Sequence, residues 1–296
     1  MKSLFYFIAV VILTGSLLSC NNSSKTATST NNEKIIIHDR DVQIAYTDTG
    51  KSDTTLLFVH GWAINKGYWA DQATYFGKRY RVVAIDLPGF GESGKNRDKW
   101  GTAEYSGDVD SVIKELDLKK VILIGHSMSG DIVLQSAIDN PAKVIGVVGV
   151  DNFKNVGAPQ SPQAKKEFAA AIAQMKKNFK GVAFMYFNQM LFSKTTPPEI
   201  KKRILNDVAH TDTTIAVAAM EQGQDFDELA KLQQVKKKLY LINTDENPTY
   251  TKYMTANNIP FQVFYTIGTG HFPMVESPQE FNGWLDRVIE DIKKKP

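Results

Sequence analysis

Cysteine is nearly missing from this chain. Cys20 is the only one in 296 residues, so a disulfide within the chain is excluded. Histidine is sparse too, and the five that occur are scattered without the spacing of metal ligands. No charge of one sign dominates: the formal net charge is +3, and the lysine runs at 236–238 and 293–295 sit at segment ends without forming a stripe. Solvated helix ends account for such runs, and nucleic acid is not indicated as a partner. Repeats of fixed period are absent, which excludes solenoids and propellers. The apolar stretch at residues 4–13 is too short and wrongly flanked to cross a membrane.

That stretch comes after Lys2 and precedes Leu17-Leu18-Ser19-Cys20. A positive start, a short apolar core and a cleavage site of small residues make a secretory signal. Because the site ends in cysteine, it resembles a bacterial lipoprotein box. The resemblance implies a signal peptide over residues 1–19 and lipid on Cys20. The chain is then expected to be held to a membrane of the bacterial envelope by acyl chains, facing the periplasm or the exterior. Residues 21–32 are almost all Asn, Ser, Thr, Lys and Ala, a composition with too little apolar surface to fold, so 20–33 reads as a tether. The remainder, 34–296, is long enough for one sizeable α/β domain with a buried core.

Short β-branched runs alternate with helical patterns, as parallel strands joined by crossover helices require. Strands are expected near 35–38, 42–48, 56–59, 82–85, 121–124, 144–150, 239–242 and 261–265, the first two as an antiparallel hairpin. Helices are expected near 103–116, 128–139 and 279–293. Between the sixth and seventh strands the alternation stops, and helical periodicity recurs at 164–179, 182–192, 199–209 and 214–221. A structureless loop of that length is improbable. Residues 152–235 therefore read as an inserted helical cap, with the core formed by 34–151 and 236–296. The cap residues Phe179, Phe184, Met185, Tyr186, Phe187, Met190 and Phe192 have two readings, packing of the cap or lining of a pocket.

The most informative segment is Gly125-His126-Ser127-Met128-Ser129-Gly130, directly after the apolar run Val121-Ile122-Leu123-Ile124. A strand that stops at a small residue, turns sharply at Ser and restarts as a helix sets a hydroxyl at the carboxyl edge of the sheet, facing the first N–H groups of that helix. Bulk two residues before or after the Ser would collide with the neighbouring elements. Gly125 meets the first demand; Ser129 stands where the usual pattern G-x-S-x-G has its second glycine, and meets the second in size only.

In these motifs and their order, the chain after the tether resembles the α/β-hydrolase superfamily, an eight-stranded, mostly parallel sheet with an inserted cap. The matches are His60-Gly61-Trp62 after the third strand, the run from Asp86 to Ser93 after the fourth, the Ser127 turn after the fifth, and Gly268-Thr269-Gly270-His271-Phe272 after the last. A serine hydroxyl near neutral pH needs a base, and the resemblance makes His271 that base. It implies an oxyanion hole from the backbone N–H groups of Trp62 and Met128. His60 and His126 are expected to border the site, His38 and His210 to stand apart, and the stretch from Asp86 to Ser93 to be scaffolding. No metal and no cofactor are implied.

The carboxylate that orients His271 is less plain. Many relatives carry it after the seventh strand in a Gly-x-x-Asp turn, but here that region reads Ile242-Asn243-Thr244-Asp245-Glu246 and lacks the glycine. The sixth strand ends Gly149-Val150-Asp151, beside Ser127 in the expected strand order. Asp151 is favoured over Asp245, with Glu246 third; the alternative for Asp151 is a helix cap. The expected activity is that of a serine esterase acting on a small or medium acyl ester through an acyl-enzyme. Ser127 argues against haloalkane dehalogenases and epoxide hydrolases, whose nucleophile is Asp. Carbon–carbon bond hydrolases, lactonases and haloperoxidase-like enzymes share the triad, and a ligand-binding protein on the same scaffold is the reading from another class.

Overall fold

The computed structural model describes residues 33–37, 42–50 and 52–294. The expected signal peptide, Cys20 and His38 lie outside the described residues, as does the tether except for Glu33, which opens the first strand. Eight strands form one sheet in the order β1-β2-β4-β3-β5-β6-β7-β8. Their ranges are β1 Glu33–Ile37, β2 Val42–Asp48, β3 Thr55–Val59, β4 Arg81–Ile85, β5 Val121–His126, β6 Val144–Val150, β7 Leu239–Thr244 and β8 Phe261–Thr266. The pairs β1·β2 and β2·β4 are antiparallel, and every other pair is parallel. β3 and β5 are buried along their whole length, as expected when helices cover both faces of parallel strands.

The helices are α1 Ala70–Phe76, α2 Thr102–Glu115, α3 Ser129–Asp139, α4 Pro162–Lys177, α5 Phe179–Tyr186, α6 Pro198–His210, α7 Thr213–Gln222, α8 Glu228–Val235, α9 Lys252–Ala256, α10 Pro273–Glu276 and α11 Pro278–Lys294. One group, α1, α10 and α11, packs together, and α2 packs on α3. The last helix buries Phe281, Leu285, Val288, Ile289 and Ile292, one stripe at helical spacing.

Sequence periodicity misplaces some of the insertion. Residues 182–192 do not form one helix: α5 starts at Phe179, where the Asn178 side chain accepts the Gly181 N–H. It ends in a π-turn over Phe187–Leu191. Met185, before the π-turn, and Met190, within it, are 53% and 58% exposed, so neither packs the cap; Met190 borders a small cleft together with Phe192 and Gly270. α8 leaves no clear period in the sequence, because its eight residues bury only Leu232 and Val235. Small helices α1, α9 and α10 are equally invisible there, being too short to show a period.

Candidate active site

At the end of β5 the chain passes through Ser127 with φ of +55° and enters α3. A non-glycine residue is held in this left-handed region only when its surroundings fix it. Here the Ser127 N–H donates to the Val150 carbonyl at 3.0 Å, and Asn152 Nδ2 donates to the carbonyls of Gly125 and Ser127 at 2.9 and 3.1 Å. Gly125 is required by close approach, since a Cβ there would lie 2.2 Å from the Ser129 carbonyl oxygen. Ser129, the departure from the usual glycine, is fully buried, and its hydroxyl donates to the His60 carbonyl. The hydroxyl thus ties the turn to the loop that carries Trp62. A Cβ on Gly61 of that loop would meet His126 Nδ1 at 2.5 Å.

Ser127, Met128, Trp62 and His271 line one cavity of about 200 Å³. Its wall is largely apolar, with Ile132, Phe168, Phe187, Leu191 and Phe272 among the lining residues. Tyr186 and Phe187 are the two of the seven cap residues singled out by sequence that line it. Phe179 and Phe187 pack on Trp62, ring centroids 5.6 and 6.0 Å away, and Trp62 Nε1 donates to the Ala216 carbonyl of α7 at 2.7 Å. The insertion therefore forms the roof over the sheet edge.

His271 stands in the loop between β8 and α10. Its N–H donates to the Leu191 carbonyl at 2.7 Å, and its own carbonyl lies 2.8 Å from His126 Nε2. Glu276 accepts the N–H groups of Gly270 and Phe272 on either side. His271 Nδ1 is 2.5 Å from Asp151 Oδ2. The other Asp151 oxygen accepts the Thr244 N–H at 2.9 Å and lies 2.7 Å from Lys154 Nζ. Burial by itself would raise the Asp151 carboxyl, but His271 and the Lys154 ammonium hold it down at about 2. Asp151 caps no helix: the cap of α4 is Ser161. Asp245 is exposed and accepts the Gly268 N–H at 2.8 Å, and Glu246 is exposed beside it.

The remaining histidines are occupied otherwise. His60 Nε2 accepts the Leu87 N–H at 2.9 Å while Nδ1 donates to Gly61, and burial lowers its pKa. Burial and the nearby His271 push His126 down to about 3, so it is a neutral ring. His210 lies on α6 against the Asn206 carbonyl. Asp86 is buried and accepts the Lys66 and Glu92 N–H groups, with Lys66 Nζ at 2.7 Å, so it ties the loop after β3 to the loop after β4. Among the described residues no group of three His, Cys, Asp or Glu is placed to hold a metal ion.

Sequence reasoning does not reach Lys154, Asn152, Glu276 or the hydrogen bond of Ser129. Asn152 and Lys154 stand next to a candidate acid, a weak signal; Glu276 has none, because its partners lie across a loop whose path no periodicity encodes.

A family model described as alpha/beta hydrolase fold matches residues 54–278. The chain is 30% identical over 157 residues to the pimeloyl-[acyl-carrier protein] methyl ester esterase of Wigglesworthia glossinidia brevipalpis, covering 52% of this chain and 58% of that protein. It spans less than half the length of the first curated relatives it matches. Among solved structures, a thermophilic esterase from Thermogutta terrifontis aligns with TM-score 0.77 at 20% identity over 88% of this chain and 99% of that one. A bromoperoxidase from Bacillus anthracis aligns with TM-score 0.77 at 18% identity over 88% and 100%. At such identities the likeness of structure speaks for the fold alone. Sheet order, the turn at Ser127 and the family match together place the chain in the α/β-hydrolase fold family.

Proposed function

We propose that the protein is a serine hydrolase that cleaves small carboxylic esters. The observation that carries this reading is a single apolar cavity walled by both Ser127 and His271, with Asp151 bonded to the far side of the imidazole. Ser127 Oγ attacks the ester carbonyl carbon while its proton passes to His271 Nε2. Negative charge on the former carbonyl oxygen is met by the N–H groups of Trp62 and Met128, each donor supplying about 3 kcal/mol of barrier lowering. Collapse of the tetrahedral intermediate breaks the C–O bond, and the leaving alkoxide takes the proton from His271. Water then repeats the sequence on the acyl-enzyme and releases the acid.

A volume of about 200 Å³ is below the ~300–1,000 Å³ of drug-sized pockets, which supports a short acyl chain. The relative named for a methyl ester esterase activity favours the same chemistry. Labelling with a fluorophosphonate tests the reading. Stoichiometric modification at Ser127, abolished in Ser127→Ala and His271→Ala, is the expected result; an inert Ser127 in the folded protein overturns it.

The lipoprotein-like amino terminus supports attachment through Cys20 to a membrane of the bacterial envelope. Among the described residues no helix is long and apolar enough to cross a membrane. Cys20→Ser is expected to release the protein from the membrane fraction or leave it unprocessed. Unchanged retention refutes the anchor.

A further inference from the structure

Asp131 stands in the first turn of α3, just beyond Ser127, and belongs to the walls of two spaces. One is the catalytic cavity; the other is a cleft of about 740 Å³ that it lines with Asn155, Gln160, Asp227 and Glu228. Gly223 and Gln224, directly after α7, border both spaces, so the two abut there. The cleft holds charge of one sign. Asp131, Asp227 and Glu228 supply its carboxyl groups, and among the described residues no Lys, Arg or His lines it, in a chain whose formal net charge is +3. Asp227 is engaged as the cap of α8, accepting the Ala230 N–H at 3.0 Å. Asp131 and Glu228 meet where α3 packs on α8, and besides burial what acts on either carboxyl is another acid.

The catalytic cavity lacks a partner at the same end. Thr102 and Tyr105, one turn apart on α2, line it together with Asp131 and Gln224. The Thr102 hydroxyl oxygen lies 3.7 Å from where a Cβ on Gly223 would stand, so α2 reaches the segment at which the two spaces abut. Tyr105 is only 2% exposed, and its hydroxyl has no hydrogen-bond partner among the described residues. A buried polar group left unpaired is costly, and an alkyl chain laid in the cavity would leave both this hydroxyl and the facing acids as they are. We propose that the ester taken by this site carries a protonated amine, with its carbonyl at Ser127 and its ammonium held by Asp131 and Glu228, where the cavity abuts the acidic cleft. The positive charge offsets two carboxylates that repel each other when alone. An ammonium has N–H donors and no acceptor, which suits an end of the cavity that offers oxygen acceptors on Thr102, Tyr105, Asp131 and Gln224. The ester half of the proposal rests on the serine-hydrolase reading, and the ammonium half does not.

The experiment measures kcat/KM for pairs of esters alike in shape, one with a protonated nitrogen where the other has carbon. Methyl β-alaninate is set against methyl butyrate, with the cation on the acyl side, and dimethylaminoethyl acetate against isopentyl acetate, with the cation on the alcohol side. In one of the pairs the parent chain is expected to favour the amine by about tenfold, the worth of a charge-assisted hydrogen bond. Asp131→Asn is expected to abolish that preference and Glu228→Gln to reduce it about threefold. A ratio of two substrates does not depend on how much of a variant is correctly folded, and if Asp131→Asn does not fold at all, Glu228→Gln carries the test. A parent that favours the neutral ester of both pairs, or treats the members alike, overturns the proposal, as does a preference that survives in the variants. Calorimetric titration of butylammonium into the parent and the same variants answers without turnover. If the parent cleaves no ester, the serine-hydrolase reading falls, and binding of butylammonium that is lost in Asp131→Asn still upholds the ammonium site; no binding to the parent overturns it.

Discussion

Adjacent strands β6 and β7 each deliver an acid to the same edge of the sheet, and the molecule treats the two in opposite ways. Asp151 has a side chain only 2% exposed, with His271, Lys154 and the Thr244 N–H around it. Asp245 is exposed and its carboxylate caps the Gly268 N–H. The strand that lacks the buried acid still contributes to it, because the Thr244 N–H at the end of β7 points at Asp151. Which carboxylate meets the imidazole is thus set by which strand end surrounds it with donors, not by which strand carries an acid. A buried carboxylate without such partners would be raised and neutral.

Four changes break or sharpen this contrast. The largest effect is expected for Asp151→Asn, which keeps the shape but leaves His271 Nδ1 without a charged partner; turnover of a short ester should fall by on the order of 10³–10⁴. Near-normal kcat would remove Asp151 from the mechanism. Next, Ser129→Ala deprives the buried His60 carbonyl of its donor and loosens the Trp62 loop from the elbow. A loss of about 1–3 kcal/mol in urea unfolding is expected, and stability equal to the parent would mean that carbonyl finds another donor.

A smaller effect comes from the neighbouring acid pair that spans core and insertion. Burial, together with Glu228 opposite, pushes the Asp131 carboxyl up, and burial also raises Glu228. The native state then binds more protons than the unfolded chain, so the pair makes stability fall as pH rises from about 4 through neutral. Asp131→Asn should flatten that fall and raise Tm at pH 8.5 by about 2–4 °C; parallel melting curves for variant and parent between pH 5 and 8.5 would show that the pair is not strained. Last, Asp245→Asn touches only a solvent-exposed loop cap. Its ester turnover should stay within about threefold of the parent, as for surface changes of less than ~0.5 kcal/mol. A loss comparable to that of Asp151→Asn would reverse the contrast.

Much of the architecture was legible because strands buried on both faces must be continuous apolar runs, and because the glycine and serine of the elbow satisfy a steric demand that leaves a mark in sequence. Expected and observed strands differ by two residues at most at any end, the largest differences being at β1 and at the ends of β5 and β7. The insertion was legible as helical but not in its joints. A π-turn and a side-chain cap depend on which residue wins a local hydrogen bond, and periodicity averages over that choice. Glu276 illustrates the limit further: its two acceptor oxygens hold the N–H groups of Gly270 and Phe272 and the hydroxyl of Thr196, a convergence of three chain segments.

The order of apolar runs and the small residues about Ser127 settled the kind of fold and the place of the sharp turn that carries the serine, since these arise from local sterics and burial that each residue carries with it. Which carboxylate meets the imidazole, which cation shares it and which aromatic rings close the cavity were decided only on folding. Those are distances between segments far apart along the chain, and no residue type encodes a distance.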